Sequence, residues 1–397
     1  MARANRLTVH ALGVVMIFTW GSTYYLIAVL AAPIVADTGW PLEWVVGSLS
    51  LGLLVAGLSA PTIGDAISRH GGRPILALGC LIMALGLAMI AAAPNLAIFM
   101  AGWAVLGIGM AAGLYDAAFS TLGGIYGEKA RPSITTLTLW GGFASTVCWP
   151  LSAALVEAIG WRGACFAYAA VLAGVCLPLI LAIVPQSPRR PKQSSADYAN
   201  AALVLPPRER AMFWLFASIQ IIAGLFVTIV SVHLLTLLQA RGISLTEAVT
   251  LGALIGPAQV GARVLEMLGR GRHHPMWTLS AAVVLCAGGL IVLAAGLPII
   301  GLALILYGAG NGIFSIARGA LPLSLFGPGQ YAPIMGRLAR PGLIAQAAAP
   351  MIGAILISRL GYDALLHVIA ALATLNVLIA GMLWQVVRQR PLGRIDC

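Results

Sequence analysis

The chain has 397 residues, of which 60% are hydrophobic and 9% charged, against about 25% charged in a soluble domain. That balance excludes a soluble globular fold, and the useful ruler becomes the bilayer, at roughly 20 apolar residues per helical span. The net charge of +11 does not mark a nucleic-acid binder, because the basic residues follow the connections between apolar runs instead of forming one basic face.

In chain order, apolar segments occupy Thr8–Ala32, Trp44–Ile63, Pro74–Ala93, Leu96–Thr121, Ser133–Ile159 and Gly163–Val184. A stretch rich in Pro, Ser and basic residues at 185–210 then reads as a linker. Six more segments follow at Ala211–Leu238, Glu247–Leu268, Met276–Ala295, Leu297–Leu321, Pro333–Ser358 and Ala364–Val387. Apolar residues fill these runs without period-two alternation, so they are expected to be helices and not barrel strands. The expected fold is an all-α membrane protein of twelve transmembrane helices. Residues 1–184 would form one six-helix bundle and 211–397 the other, with 185–210 between them.

Of the 23 Lys and Arg residues, 18 fall in the two terminal stretches and every second connection: Arg3, Arg6, Arg69, Arg73, Lys129, Arg131, Arg189, Arg190, Lys192, Arg208, Arg210, Arg270, Arg272, Arg337, Arg340, Arg388, Arg390 and Arg394. The alternate connections hold Arg162, Arg241 and Arg359. This asymmetry places both termini in the cytoplasm of a multi-pass protein of the cell (inner) membrane. The first residues run straight into a long span, so the first helix itself is expected to insert, with no cleaved signal peptide. Five of the six cysteines lie within apolar spans and none forms a Cys-x-x-Cys pair, so they read as small packing residues.

The two halves repeat at an offset of 200 to 201 residues. Gly107 and Gly109 return as Gly308 and Gly310, Gly127 as Gly327, Pro150 as Pro350, and Gly160-Trp161-Arg162 as Gly361-Tyr362-Asp363. Six helices bring a chain back to its starting side, so the halves share one orientation and a pseudo-two-fold axis along the membrane normal.

The stretch Gly64-Asp-Ala-Ile-Ser-Arg69-His-Gly71-Gly-Arg73 resembles the signature loop of the major facilitator superfamily, Gly-x-x-x-Asp-Arg-x-Gly-Arg-Arg/Lys, between its second and third helices. Gly64, Arg69, Gly71 and Arg73 match; Ser68 stands where the family has Asp, Gly72 where it has Arg, and Asp65 offers a carboxylate one turn early. Gly160-Trp161-Arg162 resembles the turn that often precedes the sixth helix of that family. With the helix count and the repeat, the resemblance covers nearly the whole chain. Two positions depart from well-known subfamilies. Trp103 occupies the helix-4 site where many proton-linked members carry Arg, and of the drug-antiporter motif of helix 5 only Pro150 remains.

The resemblance implies alternating access in a monomer, with helices 1, 4, 7 and 10 lining a central cavity. Asp116, near the inner end of helix 4, is a lone carboxylate in an apolar run, where an ionised group costs about 2.5–3.5 kcal/mol and therefore faces the bundle interior. It reads as a proton carrier or gate, or else as a structural partner of Arg69 or Arg73. Arg318 sits at matching depth in helix 10 and could meet Asp116 across the cavity when the inner side is closed. Arg263 and Glu266 are three residues apart on helix 8. They read as an intrahelical pair or as an anion-binding cation with its neighbour, similar in kind to the acid–Arg pair in helix 8 of monocarboxylate transporters. Gln259, Asn311 and Gln346 are amides at mid-depth, suited to interhelical hydrogen bonds or to substrate. Trp20, Tyr24 and Tyr25 could wall a site for a small amphipathic solute. His233 reads as a packed imidazole or a titrating group.

No metal-ligand spacing and no phosphate loop occurs, so no metal, other cofactor or ATP engine is expected. The expected function is secondary active transport of a small solute, proton-coupled, with an organic anion favoured by the buried cations. The expected partners are that solute and the lipid bilayer, with no nucleic acid and no enzymatic activity. The alternative is efflux of a toxic compound, drug or metalloid, for which the intramembrane thiols Cys148 and Cys165 speak.

Overall fold

The computed structural model describes residues 2–186, 205–269 and 273–388. The linker expected at 185–210 therefore lies mostly outside the described residues, as do the basic residues Arg189, Arg190, Lys192, Arg270, Arg272, Arg390 and Arg394. Among the described residues, nine helical runs are long and apolar enough to cross a membrane. Three passes occupy the 88-residue run Leu96–Ile183, which reverses at Gly127 (φ 57°) and Gly160 (φ 72°). Two more occupy the 61-residue run Ile300–Leu360, which reverses at Gly327 (φ 72°). The nine runs therefore make twelve passes. Such positive φ values are open to glycine without a Cβ clash, which is why the chain can turn there in a single residue. The reversals also carry the repeat, since Gly39 and Gly242, Gly127 and Gly327, and Gly160 and Gly361 are all left-handed.

Local chemistry starts the fourth and eighth spans. Asn95 Oδ1 accepts from the Ile98 amide at 3.0 Å, and Ser244 Oγ accepts from the Glu247 amide at 3.3 Å, so each side chain satisfies an orphan amide of a first turn. The second span is longer than its apolar segment. It runs as Leu42–His70, so most of the expected signature loop is helical and the turn shrinks to Gly71 (φ 82°). Polar residues tolerate a helix where it leaves the hydrocarbon, which an apolar-run criterion does not register.

Four spans break at mid-depth. The first is interrupted between Gly21 and Leu26, the fourth at Leu114, the fifth at Phe143 and the eighth at Ala253–Leu254. Irregular backbone at this depth is tolerated only inside protein or beside a cavity. The glycines of the repeated runs bring the intact segments close. Gly308 packs so tightly on the eighth span that an added Cβ would lie 2.8 Å from the Ile255 carbonyl, and Gly107 meets the Gly52 backbone of the second span in the same way.

Each half builds its own apolar core, one from residues between Val9 and Val184 and the other from Met212 to Leu383. The first core also takes in Leu323, Tyr331, Ala332 and Met335 from the tenth and eleventh spans. Those four residues lie beside the Gly327 turn, on the face from which the first helix enters and to which the last returns. That face is called the terminal face below. There Tyr331 is 1% exposed, packs against Gly123 and donates to the Gly319 carbonyl at 2.6 Å.

Candidate functional site

Two of the intramembrane charges, Asp116 and Arg318, meet. Asp116 lies in the first turn of Tyr115–Tyr126, just past the break at Leu114, and Arg318 reaches it from the tenth span. Arg318 Nη2 donates to Asp116 Oδ2 at 2.5 Å, with both side chains 19% exposed. The contact is single-point, because Asp116 Oδ1 and Arg318 Nε are enclosed without a hydrogen-bond partner. Of the alternative partners, Arg73 instead donates to the Leu181 carbonyl of the sixth span, and Arg69 is exposed at the end of the second span.

Two further ion pairs flank this one and also join the halves. Arg337 of the eleventh span binds Asp65 of the second in a fork, Nη1–Oδ1 2.9 Å and Nη2–Oδ2 3.4 Å. Arg131 of the fifth span donates to Glu266 Oε1 of the eighth at 3.3 Å and to the His273 carbonyl. The same Oε1 accepts from Thr278 Oγ1 at 2.8 Å and lies 3.1 Å from His273 Nε2. Asp65 and Glu266 are separated by 201 residues, the repeat offset. The acids are thus repeat equivalents on the second and eighth spans, while their arginines, on the eleventh and fifth, are 206 residues apart and not at equivalent positions.

This corrects the expected Arg263–Glu266 pair. Although three residues apart on a helix, they part company: Glu266 turns to Arg131, and Arg263 turns inward. Arg263 is 6% exposed. Its Nε donates to the Gly312 carbonyl at 3.1 Å and its Nη1 to the Thr138 carbonyl of the fifth span at 3.2 Å. Among the described residues it forms no ion pair. Gly142 makes room for it, since a Cβ there would collide with the guanidinium. The Thr138 carbonyl also accepts from Tyr115 Oη at 3.3 Å, so the guanidinium and that phenol are neighbours.

A narrow cavity of about 40 Å³ lies between the halves, room for a few waters. Asp116 and Arg318 line it together with Trp20, Tyr24, Tyr115 and Gln346. Gly64 closes one wall beside Gly336 of the eleventh span. Tyr25 packs against Trp20 but, like Arg263, does not itself line the cavity. The other amides sit elsewhere. The Gln259 backbone packs on Gly312 at the crossing of the eighth and tenth spans, and Asn311 precedes that glycine. Neither lines this cavity. His233 is spent on the Pro350 carbonyl, 3.1 Å away within the second half. Cys148 and Cys165 are enclosed in the first core. No group of three or more His, Cys, Asp or Glu is arranged to hold a metal among the described residues.

Sequence reasoning missed Arg131, Arg337, Thr138 and Tyr115. The repeat offset could have identified Glu266 as the copy of Asp65. No comparable signal marks Thr138, whose contribution is a backbone carbonyl.

The profile of the Major Facilitator Superfamily matches residues 12–339. Among curated proteins, human monocarboxylate transporter 11 is 27% identical over 237 residues, spanning 58% of this chain and 47% of that protein. Among solved structures, the human organic anion transporter MFSD10 (TETRAN) has a TM-score of 0.74 at 18% identity, covering 95% of this chain and 99% of that one. The fucose transporter FucP in its outward conformation has a TM-score of 0.72 at 13% identity, covering 96% and 99%. The proton:xylose symporter XylE has a TM-score of 0.70 at 14% identity, covering 96% and 94%.

Proposed function

The chain belongs to the Major Facilitator Superfamily and is a secondary transporter, and from that premise we propose that it moves a small organic anion together with protons by alternating access. The observation that carries this reading is Arg263. A buried cation is costly unless paired, yet this one meets only two carbonyls. Two carbonyls leave donors of a five-donor guanidinium free for an anion. The names of two relatives point the same way, one being called a monocarboxylate transporter and the other an organic anion transporter.

Coupling is assigned to Asp116. Arg318 holds one carboxylate oxygen and leaves Oδ1 without a hydrogen-bond partner, on a residue that lines the cavity. A proton arriving at Oδ1 removes the charge that holds Arg318, and the tenth span is freed from the fourth. The terminal face, which carries Arg69, Arg73, Lys129, Arg131, Arg208, Arg210, Arg337, Arg340 and Arg388, is taken as cytoplasmic. With three ion pairs joining the halves on that side, the conformation described is the inward-closed one, and rocking of the two bundles about the site opens it.

The test is transport by purified protein in proteoliposomes, with a panel of small carboxylates and an imposed pH gradient. Accumulation should follow the gradient, and Arg263→Ala should abolish carboxylate transport. Uptake of neutral sugars in place of carboxylates, or carboxylate uptake indifferent to Arg263→Ala, would sink the proposal.

A further inference from the structure

We propose that the transported anion is an aryl monocarboxylate, its ring received by Trp20, Tyr25 and Tyr115 while its carboxylate meets Arg263. This rests on the organic-anion reading above and narrows it.

The rings form one connected array drawn from three spans. Trp20 lies 5.6 Å from Tyr24, 6.2 Å from Tyr25 and 5.0 Å from Tyr115 between ring centres. Tyr25 continues to Trp149 at 6.2 Å, and Tyr115 stacks on Phe119 at 5.1 Å and 7°. Ordinary core packing is the rival explanation, and two observations weigh against it. The core aromatics Trp103, Tyr168, Tyr331, Phe99 and Phe216 are fully buried, whereas Trp20, Tyr24, Tyr25 and Tyr115 are only partly so. Tyr24 and Tyr25 stand in the break of the first span and Tyr115 directly follows that of the fourth. A purely structural cluster gains nothing from giving up helical hydrogen bonds at mid-depth.

Charge sets the rest of the solute. While Asp116 is ionised it neutralises Arg318, so in that state Arg263 leaves one positive charge for the ligand, which suits a monoanion. The guanidinium is fixed beside the rings. It shares the Thr138 carbonyl with Tyr115 Oη. A short aliphatic acid could satisfy the cation but would leave the ring faces unused. An aryl acid uses both, because aromatic faces and edges pair specifically.

The experiment is calorimetric binding to full-length protein in nanodiscs. Benzoate is compared with cyclohexanecarboxylate, lactate and the dianion phthalate. Benzoate should bind at least tenfold tighter than cyclohexanecarboxylate, which matches its size and charge, and phthalate should bind weaker than benzoate. Trp20→Leu should cost benzoate at least tenfold, and Trp20→Phe should restore most of it. Equal binding of benzoate and cyclohexanecarboxylate by the unmodified protein overturns the aryl assignment, with no variant needed. That outcome leaves the anion reading standing as long as Arg263→Lys weakens every carboxylate. Carboxylate binding unchanged in Arg263→Lys and in Arg263→Ala would remove the anion reading and this inference together.

Discussion

Toward the terminal face, three ion pairs cross from one half of the molecule to the other; at the opposite face, the two described ion pairs each stay within a half. Asp116–Arg318, Asp65–Arg337 and Glu266–Arg131 are the crossing set. The opposite set is Asp37–Arg162, joining the first and sixth spans, and Asp363–Arg241, joining the twelfth span to the turn after the seventh. Polar bonds between halves must break whenever the halves rock, whereas bonds within a half travel with it. The first set is therefore placed to bias a conformational equilibrium, and the second to keep each bundle rigid. Burial follows the same division. The axial crossing pair is 19% and 19% exposed, while Asp37 and Asp363 are 54% and 75% exposed. Exposed pairs contribute about 0–1 kcal/mol, and breaking a buried pair costs about 3–5 kcal/mol.

The largest effect should come from the axial pair. Asp116→Asn keeps the shape and removes the charge. Gradient-driven accumulation in proteoliposomes should fall by an order of magnitude or more, while exchange of labelled for unlabelled solute at equal pH persists. Loss of both activities with normal folding would make the pair structural and break the distinction between the two sets.

Next in size is the steric contact that lets the crossing set form. A Cβ added at Gly64 would lie 2.5 Å from the Ala332 carbonyl and 3.1 Å from the Gly336 Cα, backbone atoms that cannot swing aside. Gly64→Leu should leave each bundle folded, since the clash lies between halves, and should hold the terminal face ajar. Transport should drop about tenfold if the open state is favoured by about 1.4 kcal/mol. Single cysteines placed near residue 123 should become reactive to thiol reagents added from the terminal side. Unchanged labelling would show that the closed face does not depend on this contact.

These sites differ in how far the sequence disclosed them. Twelve segments and a duplicated plan were legible because hydrocarbon imposes runs of apolar residues and because six passes preserve orientation. Asp116 and Arg318 were legible for the same physical reason, as a lone charge in such a run must face inward. The partner of Glu266 was not. Helical spacing made Arg263 its nearest neighbour along the chain, but a residue three positions away is a partner only if nothing better lies across the interface. Arg131, Thr278 and His273 offer three contacts to one oxygen. The breaks at Leu114 and Phe143 were also hidden. Neither residue is a turn former, and the irregular backbone is sustained by what packs around it, including Tyr115 Oη on the Thr138 carbonyl.

A smaller effect should come from the flanking pair of bridges. Asp65→Asn and Glu266→Gln should each shift the open–closed balance severalfold, measured as a distance distribution between spin labels on the two halves. Glu266→Gln should act more strongly, since its bridge is 13% and 11% exposed against 31% and 34% for Asp65. Sites far apart that hold the same closed state should add in free energy. A double variant no worse than Glu266→Gln alone would mean that only one bridge bears on closure.

The smallest effect belongs to the opposite face, and there the charges themselves are secondary. The two clasps have their signs exchanged, the acid on the first span and the arginine on the sixth, then the arginine in the turn after the seventh and the acid on the twelfth. In both, however, the arginine caps the end of the half's third helix. Arg162 Nη1 donates to the carbonyls of Ala91 and Ala93 at 2.9 and 3.0 Å, and Arg241 donates to those of Leu293 and Ala294. A helix C-terminus has orphan carbonyls and partial negative charge, so a cation there is useful whatever carboxylate is near. Arg162→Ala and Arg241→Ala should therefore lower the melting temperature by about 2–4 °C for each kcal/mol lost. Asp363→Ala, which removes only a 75%-exposed carboxylate, should hardly register. None of the three should change the accumulation ratio. If Asp363→Ala melted as early as Arg241→Ala, or if either arginine variant uncoupled accumulation from the pH gradient, the opposite face would be a gate in its own right and not a brace.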